Sequence, residues 1–401
     1  MRVLSLALCL AGGLGVLVAQ TRPAALDIYF IDTEGGQSTL YVGPSGESLL
    51  VDSGNAGERD LERIVQTLKE SGVRQIDHLW STHYHGDHIG ALLALAKQFP
   101  VGHFYDHGAP NPADRIVSAA FLKSYEELSR GKRTIVKPGD RVRIDRLDIT
   151  TVASANRYIR ENLRGGGRAN PACTDARPKD ESAYIDADNG DSAGFVMAYG
   201  RFRTVNLGDL TWNGELDLMC PTNRIGSVDV YLTSHHGLDR SGSPALVHAL
   251  RPRVAVMNNG TRKGGAPDAF RALHESPGLE DLWQLHWSHN AGLDNAPAVF
   301  VANVDDAATV AGVLIPAPVP AAPGGAAAPG APARGAAPAP APAAPPPGAP
   351  APGGRQGGRG AAAAAAAHVP AHLIRITAQS DGTFVVTNTR NGFRKTYAPR
   401  D

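Results

Sequence analysis

Ser81-Thr82-His83-Tyr84-His85-Gly86-Asp87-His88-Ile89-Gly90 packs three histidines and one aspartate into six positions of a chain that has 14 His in all. In an extended segment, residues two apart point to one side, so His83 and His85 can pinch one ion. The chain then turns into a helix, which aims Asp87 and His88 at a neighbouring point. Imidazole and carboxylate are the usual ligands of zinc and its first-row neighbours. The alternative, a polar surface loop with incidental histidines, gives no reason for this density.

A catalytic zinc takes about three protein ligands plus water, so this stretch needs help from elsewhere. Two other places qualify, each at the end of an apolar run. Leu207-Gly208-Asp209-Leu210 closes the run 202–207 with a carboxylate. Ser234-His235-His236-Gly237 closes the run 228–233 with two imidazoles. Open α/β sheets place their ligands at strand ends. A Gly-Asp turn alone is more often only a turn, but the three places in this order reinforce one another.

Around them, strand and helix signals alternate. Strand-like segments lie at 26–31, 39–42, 48–51, 76–81, 141–144, 147–152, 228–233 and 254–257, and segments 195–199 and 202–207 form a hairpin about Gly200-Arg201. Leu61, Ile64, Val65 and Leu68 recur at helical spacing and predict a helix over 59–70, stopped by Gly72. A further helix is expected over 114–130. This pattern implies an α/β layered architecture.

His-x-His-x-Asp-His, then Gly-Asp, then Ser-His-His-Gly resembles the metallo-β-lactamase-fold hydrolases. So does the start, Ile31-Asp32-Thr33-Glu34-Gly35-Gly36-Gln37-Ser38 followed by Leu50-Val51-Asp52-Ser53-Gly54. The His-His-Gly ending is most similar to the branch containing the hydrolase-like domain of ComEC-type DNA-uptake proteins. The resemblance covers about 26–303. It implies a four-layer αβ/βα sandwich with two divalent metal ions, zinc first and manganese or iron tolerated. It implies His83 and His85 on one ion, Asp87, His88 and His235 on the other, and Asp209 bridging. Asp87 would also orient a metal-bridged hydroxide that attacks a carbonyl or phosphoryl centre, and His236 would serve the substrate or support the ligands. Where most of the superfamily supplies one more histidine, this chain reads Asp188-Asn189-Gly190-Asp191-Ser192. Asp191 is the candidate replacement, or else an ordinary turn residue; His103 and His107 are alternatives. Asp52 and Asp77 are candidates to hold ligand histidines in place. The early element reads Gly35-Gly36-Gln37-Ser38, which departs from the uptake-protein branch.

The remaining signals bound the protein's setting. With 39 Lys+Arg against 39 Asp+Glu, bulk charge does not favour nucleic acid as a partner. There is no Gly-x-Ser-x-Gly elbow and no phosphate-binding Gly-x-x-x-x-Gly-Lys loop. Residues 1–20 have the basic start, short apolar core and small residues of a signal peptide, which implies a secreted or periplasmic protein; an uncleaved membrane anchor is the alternative. Cys173 and Cys220 would remain after cleavage, to pair or to stay free. The organisation expected is therefore a main domain over 26–315, a disordered Ala/Pro/Gly-rich spacer over 316–370 and C-terminal strands over 371–401. Asp381-Gly382 and Asn391-Gly392 are hairpin turns in that tail, which should pack on the main domain as a β-meander. The function expected is an exported metal-dependent hydrolase with a phosphodiester or other small-molecule substrate. An extracellular nuclease, a lactone, ester or β-lactam hydrolase, and a non-catalytic envelope protein are the rivals.

Overall fold

The computed structural model describes residues 24–304, apart from 115–116 and 183–185, and residues 371–400. The segment 1–20, expected as a signal peptide, and the segment 316–370, expected as a spacer, lie outside the described residues.

Strand alternation explains the layering. In Leu26–Phe30, Leu26, Ile28 and Phe30 enter one buried cluster, whereas Tyr29 enters another. Leu49 and Val51 part from Leu50 in the same way, and Val254 and Val256 part from Ala255 and Met257. Both faces of these strands are apolar because both are covered. Two mixed sheets therefore face each other across a central core, and helices close the outer faces. Glu58–Glu70 and Leu92–Gln98 cover the first sheet through Leu61, Ile64, Leu68, Leu92 and Leu95. Pro244–Leu250 and Pro267–His274 cover the second through Leu246, Leu250, Phe270 and Leu273. The architecture is the four-layer αβ/βα sandwich expected.

In the first sheet, Leu26–Phe30, Thr39–Val42 and Ser48–Val51 run antiparallel in turn, and Ile76–Trp80, Val101–Asp106 and Arg133–Ile135 add on in parallel. In the second, Phe202–Asn206, Val230–Leu232, Val254–Met257, Asp281–His286 and Val301–Asn303 are parallel neighbours. The tail forms an antiparallel meander of Ile374–Ala378, Phe384–Asn388 and Arg394–Tyr397. Its first strand pairs along the whole of Leu26–Phe30, from Leu26↔Ala378 to Phe30↔Ile374. Ile374, Ile376, Phe384 and Val386 enter the central core, so the tail is part of the sandwich.

Several details depart from the sequence reading, among them the unexpected strands Arg133–Ile135, Asp281–His286 and Val301–Asn303. Val101–Asp106 is a strand between Ile76–Trp80 and Arg133–Ile135, where none was expected. The helix expected over 114–130 is shorter, Ala119–Ser129, because the Ser118 hydroxyl accepts the Phe121 N–H at 3.1 Å and caps it there. Cys173 and Cys220, left open in the sequence, form a disulfide.

Candidate metal centre

The loops that follow strands of both sheets meet at one edge of the sandwich. His83, His85, Asp87 and His88 follow Ile76–Trp80; Asp209 follows Phe202–Asn206; His235 and His236 follow Val230–Leu232. Asp52, after Ser48–Val51, and Asn258, after Val254–Met257, join them. Local backbone geometry sets the last of these turns. His235 and His236 have φ of 51° and 57°, a left-handed conformation tolerated by few non-glycine residues. Gly208 has φ of 57°, and a Cβ there would lie 2.7 Å from the Thr82 Cβ; only glycine lets the Asp209 loop approach the histidine loop this closely.

Asp209 is the hub. Its Oδ2 lies 3.2 Å from Nε2 of His88, 3.2 Å from Nε2 of His236, 3.5 Å from Nε2 of His235 and 3.9 Å from Nε2 of His83. Asp87 Oδ2 is 3.3 Å from Nε2 of His236 and 3.7 Å from Nε2 of His88, and it also pairs with Lys263. Ligand atoms of Asp87, His88, Asp209 and His236 all fall within 4.8 Å of one another, a spacing that a divalent cation can span. His236 rather than His235 belongs to this closest group, although both lie beside Asp209.

Each imidazole has one nitrogen engaged by the protein. Nδ1 of His88 is 2.8 Å from Asp52 Oδ2 and Nδ1 of His83 is 3.1 Å from the Thr82 hydroxyl. Nδ1 of His236 is 3.2 Å from the Asn258 amide and Nδ1 of His235 is 3.3 Å from the Ser241 hydroxyl. In His85 the order is reversed: Asp114 takes Nε2 at 2.6 Å, which leaves Nδ1. This is how ligand histidines are oriented in metal sites. Of the two helper aspartates expected, Asp52 takes that position; Asp77 instead caps Ser48 and Gln75, away from the centre. Asp114 and Lys263 carried no local signal, since each meets its partner only across a long stretch of chain, and Ser241, six residues from His235, is an ordinary turn residue by sequence.

The electrostatics favour cations. Burial pushes the Asp209 carboxyl up, but His236, His88 and His235 together hold it well below the usual carboxylate range. Burial likewise opposes ionisation of Asp87, and Lys263 with His88 and His236 overcomes it. Burial, then the neighbours His88 and His85, pull His83 far down; His235 falls to about 4, mainly through burial. Both therefore present a lone pair at neutral pH. Burial disfavours charge on His88 too, but Asp209, Asp87 and Asp52 raise it well above the ordinary value. Three carboxylates thus make this the point where positive charge is most welcome. Among the buried polar atoms without a hydrogen-bond partner are His83 Nε2, Asp209 Oδ1 and Asn258 Oδ1 at this centre. Orphaned atoms of this kind are costly unless something else binds them. The donor set fits divalent metal ions.

Asp191 falls in a second group, with His107 and Asp188, whose ligand atoms also lie within 4.8 Å of one another. Asp188 is fully buried and accepts the Tyr84 N–H at 2.7 Å, so this group adjoins the loop between His83 and His85. Asp191 is half-buried and accepts from the Asn111 amide at 2.9 Å. His103 hydrogen-bonds Thr134 on the first sheet and stays outside both groups. In a third group, Asp32, Glu34 and His286, Arg63 pairs with both carboxylates and offsets part of their charge. Among the described residues, no helix is long and apolar enough to cross a membrane.

Residues 32–148 match the metallo-beta-lactamase superfamily model. An atrochrysone carboxyl ACP thioesterase of Pseudocercospora fijiensis is 35% identical over 80 residues, 20% of this chain and 23% of that protein. Thioesterase pkgB of Emericella nidulans is 25% identical over 107 residues, 27% of this chain and 30% of that protein. The chain thus spans about a quarter of the length of the curated relatives it matches. Among solved structures, the metallo-beta-lactamase fold protein YhfI of Bacillus subtilis aligns with 65% of this chain and 96% of its own, at 12% identity and a TM-score of 0.41. The match to the metallo-beta-lactamase superfamily model thus spans Asp32 to Asp148, and the described chain around it forms a four-layer αβ/βα sandwich.

Proposed function

We propose that the protein is a metal-dependent hydrolase whose reaction centre is the Asp209 hub. The single observation that carries this reading is one buried carboxylate oxygen with four imidazole nitrogens within 3.2–3.9 Å. Here His83 and His85 would hold one cation, Asp87, His88 and a histidine of the 235–236 pair the other, and Asp209 both. His236 fits the second cation at least as well as His235, because it shares the closest group with Asp87 and His88. Asp191, which sits with His107 and Asp188, is the remaining candidate beside the first cation.

Bound divalent ions would supply Lewis-acid polarisation of a carbonyl or phosphoryl oxygen and would acidify water. The chain's own residues do the rest. Asp52, Asp114, Asn258, Ser241 and Thr82 lock five imidazoles by their far nitrogens, so no reorientation is needed during reaction. Asp87 is held ionised by Lys263 and is placed to accept a proton from an attacking water. Nδ1 of His236 faces Asn258, and its Nε2 faces both acids.

The substrate reading has two branches. The similarity to thioesterases supports a thioester or related acyl substrate. The Ser-His-His-Gly ending and its resemblance to the uptake-protein branch support a phosphodiester, as expected from the sequence. Export to the periplasm or the exterior is supported by the N-terminal segment and by the Cys173–Cys220 disulfide, which an oxidising compartment maintains. The test is a panel of thioester, lactone, β-lactam and phosphodiester reporters with zinc-, manganese- and iron-loaded protein. Turnover of one class, lost in Asp209→Ala and His85→Ala while their fold and disulfide persist, is the expected result. A protein that binds no metal and turns over nothing refutes the reading.

A further inference from the structure

A cavity of about 190 Å³ lies at the opposite edge of the second sheet, lined by Arg164, Arg201, Arg203, Arg400, Asp229 and Gly382 among others. Arg203 opens the strand Phe202–Asn206 and Asp229 immediately precedes Val230–Leu232. The Asp209 hub follows the far ends of these strands, so the two sites are a strand's length apart. The tail supplies Gly382 and Arg400, so the cavity exists only because the tail docks here.

Four guanidinium groups face one carboxylate, a balance of three positive charges among the described lining residues. Their hydrogen bonds do not reduce that charge. Arg203, 7% exposed, donates from Nη1 to the carbonyls of Ser227 at 2.6 Å and Arg164 at 3.0 Å, and from Nη2 to that of Ile225 at 2.9 Å. Arg164 donates to the carbonyls of Gly200 and Arg201, and Arg201 to that of Arg400. Carbonyls fix the geometry of the groups and leave their charge in place. Asp229 forms an ion pair with Arg400 at 3.8 Å and also acts on Arg203 and Arg253 from further away, and its other oxygen is taken by the Arg203 backbone N–H. The nearby Glu280 is held by Arg253 at 2.6 Å. Burial and the like charge of Arg164 pull the Arg203 guanidinium down to about 10, against the opposing pull of Asp229. Asp381 lies close enough to act on Arg201, and Asp229 and Glu280 act on Arg400, so the compensation is partial. Fixed, crowded, only partly compensated guanidinium groups around a cavity are what a doubly charged oxyanion relieves, and planar forks suit its oxygens.

We propose that this cavity is an anion site that takes a phosphate group, either free or as a phosphomonoester, and thereby ties the C-terminal tail to the main sheet. The test uses metal-loaded, full-length protein and reads thermal stability and calorimetric binding. Inorganic phosphate and glycerol 3-phosphate are compared with chloride at matched ionic strength. Phosphate should raise Tm in the wild type and equally in His85→Ala, which separates this cavity from the metal centre. Arg201→Gln, an exposed position, and the pair Arg201→Gln/Arg400→Gln should weaken binding by about tenfold or more, with reporter turnover unchanged. A response to glycerol 3-phosphate alone, or to both, assigns the source within the phosphate class. The proposal is overturned if chloride does as well, if the arginine variants keep the response, or if His85→Ala loses it.

Discussion

Asp52→Asn is the most informative single change to the metal centre. Asp52 is 1% exposed, and its carboxylate accepts four hydrogen bonds. Oδ1 takes the Thr82 N–H at 2.8 Å, while Oδ2 takes the Gln37 amide at 2.8 Å, the Thr82 hydroxyl at 2.7 Å and His88 Nδ1 at 2.8 Å. Asparagine has the same shape but replaces one acceptor by a donor. With its oxygen at the Oδ2 place it keeps Gln37, the Thr82 hydroxyl and His88 as neutral partners, but its amide nitrogen then confronts the buried Thr82 N–H. One bond is lost and the bond to His88 loses its charge assistance, so the fold should weaken by about 1–3 kcal/mol. The larger consequence is at the metal. His88 loses the charged partner that fixes its ring and keeps only a neutral one, and changes at such partners cost about 10–100-fold in metal affinity. Competition between apo-protein and a chromogenic chelator measures that loss directly, and urea unfolding of the apo-protein measures the structural part separately. An affinity within about twofold of wild type, in a variant that still folds, would refute the claim that Asp52 orients a ligand.

Three further outcomes are expected. The Cys173–Cys220 disulfide closes a span of 47 residues, for which the loop-entropy model gives about 4 kcal/mol; Cys173→Ser/Cys220→Ser should lower the urea midpoint accordingly, and an unchanged midpoint contradicts the model. Gly208→Ala forces a left-handed alanine against Thr82 and should destabilise the protein by about 2 kcal/mol or more, visible as a lower Tm together with weaker metal binding. Glu215 is fully buried, and burial raises its carboxyl to about 7 although the Gly242 and Ser243 N–H groups favour the ionised form. Its folded pKa lies above its unfolded value, so the native state binds the extra proton; stability from this group is full below about pH 4.5 and declines as pH rises to about 7, by on the order of 3 kcal/mol. Glu215→Gln should flatten that slope in denaturation curves taken between those pH values, and an identical slope would count against the assignment.

Local signals in the chain carried a good part of the fold. Leu61, Ile64, Val65 and Leu68 described a helical face that buries as spaced, and Asp381-Gly382 and Asn391-Gly392 marked turns of the tail meander. The strand Val101–Asp106 went unread, because Gly102 and His103 break its apolar pattern and its burial comes from two flanking strands rather than from its own composition. The choice between Asp52 and Asp77 was also closed to local reading. Both belong to the strand region of one sheet, and only the pairing of Ser48–Val51 with Ile76–Trp80 brings Asp52 to the edge where His88 turns back and leaves Asp77 beside Ser48.

The sequence alone determined which chemistry is available: three histidines and an aspartate at fixed short spacings, a Gly-Asp turn and a His-His pair. Spacing within a loop is a covalent property, so it survives any arrangement of the rest. Tertiary structure alone decided that His236 stands at least as close to Asp209 as His235, that Asp191 groups with His107 and Asp188, that the two cysteines join, and that four arginines line one cavity. These depend on contacts between segments tens to hundreds of residues apart, and such contacts are set by how two sheets and their covering helices bury apolar faces together, which no local stretch encodes.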